Sequence, residues 1–274
     1  MQIELTEDQL DTLIDDVQRQ YGYDFGDYAR ASLHRRIARL MTVDRFVSFA
    51  ELRYRINSDK DYLSRLIDMV SVNVTEMFRD PSFYAALRTQ IFPVLATYPL
   101  IRIWHAGCAS GEEVYSMAIL LKESKLLDKS IIYATDINPT ALSVARAGIY
   151  PLAQMQKYSE NYVAAGGAED FSSYYTAQYD MVKMDTALTK RIVYATHNLA
   201  TDSSFNEFQL IICRNVLIYF NQTLQDRVFH LFDDSLEGLG FIGLGSKESI
   251  RFSTVEASYQ QIAGKDKIWR KGKK

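Results

Sequence analysis

Cysteine is scarce in this chain of 274 residues: there are two, Cys108 and Cys213, each at an apolar strand-like run and neither with metal-ligand spacing. That excludes a disulfide scaffold and a cysteine-based metal centre, and it leaves two buried thiols in a reducing, cytoplasmic setting. No apolar run is long enough to span a bilayer, and the first residues are acidic rather than the basic start of a secretion signal. Membrane insertion is therefore not expected. Dense interleaving of Lys/Arg with aromatic residues is also missing and the net charge is −3, so nucleic acid is not an expected partner. Only four histidines occur, and none stands in a Ser-His-Asp or Cys-His arrangement. Glycine and proline are both absent between Asp27 and Asp80.

What is present suits a packed soluble protein, with 47 % apolar and 24 % charged residues. The gap without glycine or proline reads as short helices. Thr6 to Gln9 form a capping box ahead of Leu10, Leu13, Ile14 and Val17. A second helix runs from about Tyr28 to Met41, Ser48 and Glu51 mark a third, and Asp59 caps a fourth. Phe83, Leu87 and Ile91 then suggest one helix, with Pro93 and Pro99 bracketing a turn. Beyond it strands and helices alternate: strands 101–106, 131–135, 209–213 and 241–245, with helices opened at Asn138-Pro139 and over 222–237. Alternation of this kind calls for a parallel α/β sheet. Three pieces within 171–197 look like a small antiparallel insertion, and the end reads as a hairpin around Gly264-Lys265-Asp266. The organisation expected is a helical domain over 1–76, a linker over 77–92 and an α/β domain over 93–274.

The most informative stretch is Ile101 to Tyr115, an apolar strand that stops at Gly107 and Gly111 and reopens as a helix with Glu112-Glu113. Such a strand–turn–helix brings backbone N–H groups close to a nucleotide-like ligand. Two carboxylates at the mouth repel phosphate and favour a cationic nucleoside, which S-adenosylmethionine satisfies. Asp136 ends the next strand, where an acid accepts ribose hydroxyls; its plainer role is to cap the following helix, for which Asn138 is better suited. A buried strand also ends at Cys213-Arg214-Asn215 and continues to Tyr219, either a core aromatic or a group at the ligand end of the sheet. Ser71 to Asp80 lies at the junction of the two parts, where clefts bind ligands, although Arg79 could instead pair with Asp80.

Together, Asn73-x-Thr75-x-x-Phe78-Arg79, Ala106-Gly107-Cys108-x-Ser110-Gly111-Glu112-Glu113, Ala134-Thr135-Asp136-Ile137, Asn198-Leu199 and Cys213 to Phe220 resemble the CheR family. These are the chemotaxis receptor glutamate O-methyltransferases, and the resemblance runs in order along nearly the whole chain. It implies a Rossmann-like α/β methyltransferase sheet with a small antiparallel β insertion, preceded by an all-α N-terminal domain. It further implies S-adenosyl-L-methionine as cofactor, S-adenosyl-L-homocysteine as product, no metal, and a pocket lined by Asn73, Thr75, Arg79, Gly107, Glu113, Asp136, Asn198, Leu199, Asn215 and Val216. Arg79 and Tyr219 would stand at the reacting centre. Val114 departs from the proline usual after the glutamate pair, and His105 to Ser110 departs modestly from the family's glycine loop; neither change removes a functional group.

The implied partner is the cytoplasmic helical bundle of methyl-accepting chemotaxis receptors, modified by a monomer. Residues 1–29 hold eight acids against Arg19, whereas 30–65 hold nine Lys/Arg against four acids. Arg30, Arg35, Arg36 and Arg39 on the second helix would read glutamate-rich receptor helices, unless they only pair with the acidic first helix. The insertion resembles a β-subdomain to which a receptor C-terminal peptide adds as a strand in some members. Its turns here lack the glycine-rich loop of such members. Two rivals remain: methylation of another protein or of nucleic acid, and a cofactor-binding signalling scaffold without catalysis. No N-P-P-Y motif supports the first, and retention of Arg79 and Tyr219 speaks against the second.

Overall fold

The computed structural model describes residues 5–71 and 75–273. Four helices open it: α1 (Glu7–Tyr21), α2 (Arg30–Val43), α3 (Phe49–Ser58) and α4 (Lys60–Val70). Their starts follow the expected caps. Thr6 and Gln9 exchange bonds as a capping box, Ser48 accepts from the Glu51 N–H, and Asp59 accepts from the Asp61 N–H. Leu10, Leu13, Val17, Leu33, Ile37, Leu40, Leu52 and Ile56 share one buried core, so the apolar stripes of four short helices satisfy each other.

Residues 77–92, expected as a linker, are largely helical. Helix α5 (Pro81–Ala86) passes through a π-helical turn, Leu87–Ile91, into α6 (Phe92–Leu95). Phe83, Tyr84, Leu87 and Ile91 are buried in the core of the α/β domain. Pro93 does not break this helix, as the spacing suggested, because it falls in the first turn after the π-bulge, where its missing N–H is no loss.

The main sheet is built from β1 (Ile101–Ala106), β2 (Ser130–Asp136), β6 (Ile192–Thr196), β7 (Phe208–Cys213), β8 (Leu236–Leu244), β9 (Tyr259–Ala263) and β10 (Ile268–Lys271), in the order β6-β2-β1-β7-β8-β10-β9. The first five are parallel, and the closing hairpin β9–β10 runs antiparallel on β8. Ile103, Leu210, Ile212 and Phe241 face one core, while Trp104, Ile211, Cys213 and Ile242 face the other. Both faces of the sheet are thus covered, as parallel strands require. The helix expected over 222–237 ends earlier: α10 (Gln222–Ser235) gives way to β8 at Leu236, with Leu239 in a left-handed conformation where the pairing with β7 shifts register.

The insertion is also composed differently. Its small antiparallel sheet is β3 (Ile149–Pro151), β5 (Met181–Met184) and β4 (Tyr175–Gln178), in the order β3-β5-β4. The piece at 192–196, expected as its third strand, is β6 at the edge of the main sheet, paired with β2. Its mixed exposure hides the difference, because an edge strand alternates as a half-buried hairpin strand does. Three further helices, α7 (Glu112–Glu123), α8 (Pro139–Ala147) and α9 (Met155–Ala164), complete the described domain.

Candidate active site

A cleft of about 900 Å³, counting its solvent-open mouth, lies between the helical domain and the carboxyl ends of β1, β2 and β7. That position is where open α/β sheets bind ligands. The glycine loop forms its floor. Gly107 and Cys108 both donate to the Thr135 carbonyl at 2.9 Å, and Ala109 donates to Asp136 at 2.8 Å. Gly107 has a φ of +80°, and a Cβ there would come within 2.5 Å of Val216 Cγ2. Glycine at this position lets two loops of the cleft meet.

Thr75, Arg79, Gly107, Glu113, Asp136, Asn198, Leu199, Asn215, Val216 and Tyr219 all line this cleft. Asn73 lies outside the described residues. Of the glutamate pair, Glu113 faces the cleft. Glu112 turns away to the Ser110 hydroxyl at 2.8 Å, and its burial pushes its carboxyl up to about 7. Asn138 caps α8, accepting from Thr140 and Ala141, so Asp136 is not needed as the cap. Yet Asp136 is not idle: its other oxygen accepts from the Asn138 N–H at 2.9 Å. Burial raises its carboxyl, more than these N–H groups lower it. Each oxygen keeps a further lone pair for a ligand hydroxyl.

Arg214 was legible only as a polar break after a strand. It is a buried hub, donating to Glu113 at 2.8 Å, to Asp80 at 2.7 Å and to the Arg79 carbonyl at 3.0 Å, with its guanidinium 4.3 Å from the Phe83 ring centroid. Burial alone would raise the Glu113 carboxyl, but Arg214 and the His105 ring at 3.2 Å outweigh it and hold it below the usual range. His105 is accordingly a structural neighbour of Glu113.

The helical domain contributes a wall that sequence reasoning missed. The loop before α2 pairs with the Tyr219 segment: Ala29 donates to the Tyr219 carbonyl at 2.7 Å, and Asn221 donates to the Asp27 carbonyl at 2.9 Å. Tyr28 stacks edge-on against Phe220 and lines the cleft, with burial and then Asp136 raising its hydroxyl pKa. His197 lines it too, packed on Trp104. No local pattern marks either residue, since both depend on chain segments far apart. The four arginines of α2 divide. Arg30 is tied to Glu7 and Asp11 of α1, Arg35 and Arg39 are exposed, and Arg36 lies 5.5 Å over the Tyr219 ring.

Comparison with known proteins fits this geometry. Residues 73–267 match the family described as CheR methyltransferase, SAM binding domain, and residues 8–71 match CheR methyltransferase, all-alpha domain. The chain belongs to the CheR methyltransferase family. This CheR chain is 46 % identical over 266 residues to a Pseudomonas putida protein provisionally named methyltransferase Cher3, covering 97 % of each. It is 30 % identical to the chemotaxis protein methyltransferase of Listeria monocytogenes, over 85 % of this chain and 87 % of that one. Against the protein of the same name from Borreliella burgdorferi it is 31 % identical, covering 92 % and 91 %. The family boundary falls before Met77, in keeping with the packing of α5 into the α/β core.

An S-adenosylmethionine-dependent methyltransferase is therefore the class to which the cleft must answer, and its residues fit. The buried Asp136 carboxylate keeps acceptor capacity but has no cationic partner among the described residues. Opposite charges, Glu113 with Asp136 and Arg79 with Arg214, line one cleft. That mixture suits a ligand with a sulfonium, an ammonium and a carboxylate, and no phosphate.

Proposed function

We propose that this chain is a protein-glutamate O-methyltransferase of chemotaxis receptors. It transfers the methyl group of S-adenosyl-L-methionine to glutamate side chains on the receptors' cytoplasmic helical bundle, leaving a glutamyl methyl ester and S-adenosyl-L-homocysteine. The observation that carries this reading is that Arg79 and Tyr219 line the same cleft as Asp136 and Glu113, under the arginine-bearing helix α2.

When bound, the cofactor supplies an electrophilic methyl. Asp136 takes the ribose hydroxyls, Glu113 attracts the amino group, and Asn198, Leu199, Asn215 and Val216 wall the nucleoside, with Thr75 beside it. The nucleophile is a carboxylate, ionised at neutral pH, so the protein need not remove a proton. Its task is placement in a site closed to water. Arg79 and Tyr219 orient the glutamate oxygens. An arginine gripping that carboxylate too strongly would favour the ground state over the ester-forming transition state, so orientation rather than tight binding is its role. Arg35 and Arg39 steer the acidic receptor helix toward the cleft. The free edge of β4 suits addition of a receptor C-terminal peptide as a strand.

The test is tritium transfer from labelled cofactor to receptor membranes. Label should enter the receptor and leave as volatile methanol on base treatment. Label that survives base, or that enters nucleic acid instead, overturns the assignment.

A further inference from the structure

We propose that Glu248 is a positioning residue for methyl transfer, shaping from beyond β8 the Asn215–Tyr219 segment that walls the cleft. It does not line the cleft itself. Its carboxylate is buried, and each oxygen takes two backbone N–H groups. Oε2 accepts from Gly245 at 2.7 Å and Asn215 at 2.8 Å; Oε1 accepts from Val216 and Leu217, both at 2.8 Å. Three successive N–H groups converging on one point make an anion nest, and here the anion is the chain's own side chain.

The nest is costly to form without its anion. Asn215 is held at a φ of +61°, and three aligned N–H groups, that of Leu217 fully buried, would lose their acceptor. No cation pairs with Glu248 among the described residues, so its partners are backbone donors. Space has been kept for it: a Cβ on Gly245 would lie 2.6 Å from Glu248 Oε2 and 2.9 Å from the Asn215 nitrogen. The segment it shapes carries the working groups. Asn215 and Val216 line the cleft, Val216 abuts the glycine loop, and the 3-10 turn Leu217–Tyr219 starts on this carboxylate and ends on Tyr219. Glu248 thus acts on cofactor affinity through Asn215 and Val216, and on turnover through Tyr219.

The inference takes its turnover readout from the methyltransferase reading above, but its affinity readout is independent of any receptor. Glu248→Gln keeps the size and one oxygen while turning an NH₂ group toward two donors. It should weaken S-adenosylhomocysteine binding by calorimetry, and lower kcat, by about tenfold or more each. In Glu248→Ala, added formate should restore both, because it refills the nest. If Glu248→Gln does not fold, Glu248→Asp carries the same expectation, since it keeps the charge and shortens its reach to the nest. A folded Glu248→Gln with unaltered affinity and kcat, whatever its melting temperature, overturns the proposal. So does a folded Glu248→Ala that formate leaves unchanged. Cofactor binding without receptor methylation by the unaltered enzyme would sink the receptor assignment and leave this inference standing on its affinity arm.

Discussion

The helical domain and the mouth of the sheet both bury carboxylates, and they satisfy them in opposite ways. Asp16 on α1 is held by side chains: Arg53 at 2.5 Å, Arg19 at 2.5 Å and Asn57 at 3.3 Å. Asp44 is held by Arg65 and the Tyr62 hydroxyl. Apart from Arg19, which lies on α1 itself, these groups join helix to helix, and Arg53 and Arg65 hold the carboxyls below their usual range against the opposing effect of burial. Asp136 in the cleft and Glu248 behind its wall take backbone N–H groups instead, and burial keeps both carboxyls above that range. A guanidinium cancels a charge and ties two elements together. Backbone donors leave the charge in place and fix the shape of a loop. In the cleft Asp136 follows the second arrangement, while Glu113 beside it is held by Arg214 in the first.

The sharpest way to break this comparison is at Arg79, a cation of the cleft. Arg79→Ala should lower turnover by about 10²-fold, as expected for loss of a preorganised electrostatic group, measured as receptor methylation at saturating cofactor. Turnover close to the unaltered enzyme would remove Arg79 from the reacting centre. Asp136→Asn comes next. It keeps the size and one acceptor but removes the charge, and S-adenosylhomocysteine affinity should fall about tenfold by calorimetry. An unchanged affinity would make Asp136 a loop clip alone, and the contrast with Asp16 would lose its functional meaning.

How much of this was readable beforehand depends on whether the signal is local. Caps placed the starts of α1, α3 and α4 and an apolar stripe placed α2 to within a few residues, because Thr6, Ser48 and Asp59 act on N–H groups two or three residues away. The cleft residues were legible through ordered motifs, and those that are described meet in one place. What escaped was non-local. β6 pairs with β2 rather than with the insertion, Pro93 is tolerated only because a π-turn precedes it, and Tyr28 faces Asp136 across a domain boundary. Glu248 had one faint signal, a Gly-x-x-Glu sequence just beyond a strand, but apart from Gly245 its partners lie some thirty residues earlier in the chain, a separation of 33 for Asn215.

The opposite satisfaction of the two groups also gives opposite pH dependence. A carboxyl lowered by folding stabilises the protein above its unfolded pKa, and that contribution fades as pH falls through the folded value. Asp16 and Asp44 belong here. A raised carboxyl binds its proton more tightly in the folded state, so stability declines as pH rises between the two values. Glu112, raised by burial despite the Ser110 hydroxyl that it accepts, does this from the ordinary carboxylate range up to about 7. Glu112→Gln should therefore raise stability at pH 8 by on the order of 1 kcal/mol and do little at pH 4. Asp16→Asn should lower it at pH 8 with a shrinking effect toward acid. Melting temperatures at the two pH values decide it; parallel shifts for both variants would erase the contrast.

The smallest effect is expected where charge is exposed and unburdened by structure. Arg30 is committed to α1 and Arg36 to Tyr219, which leaves Arg35 and Arg39 as the solvent-facing charges of α2's arginine set. Reversing both, Arg35→Glu with Arg39→Glu, alters no buried contact, so folding and cofactor affinity should stay as they are. What should change is KM for the receptor and its salt dependence, because steering between exposed charges is screened beyond about 10 Å at 0.1 M ionic strength. In the unaltered enzyme KM should rise with salt, and in the reversed enzyme that slope should flatten or invert. An identical slope in both would return these arginines to the role of Arg30, surface charge serving the helical domain itself, and would leave Asp136, the backbone-held acid of the cleft, as the charge kept for a partner.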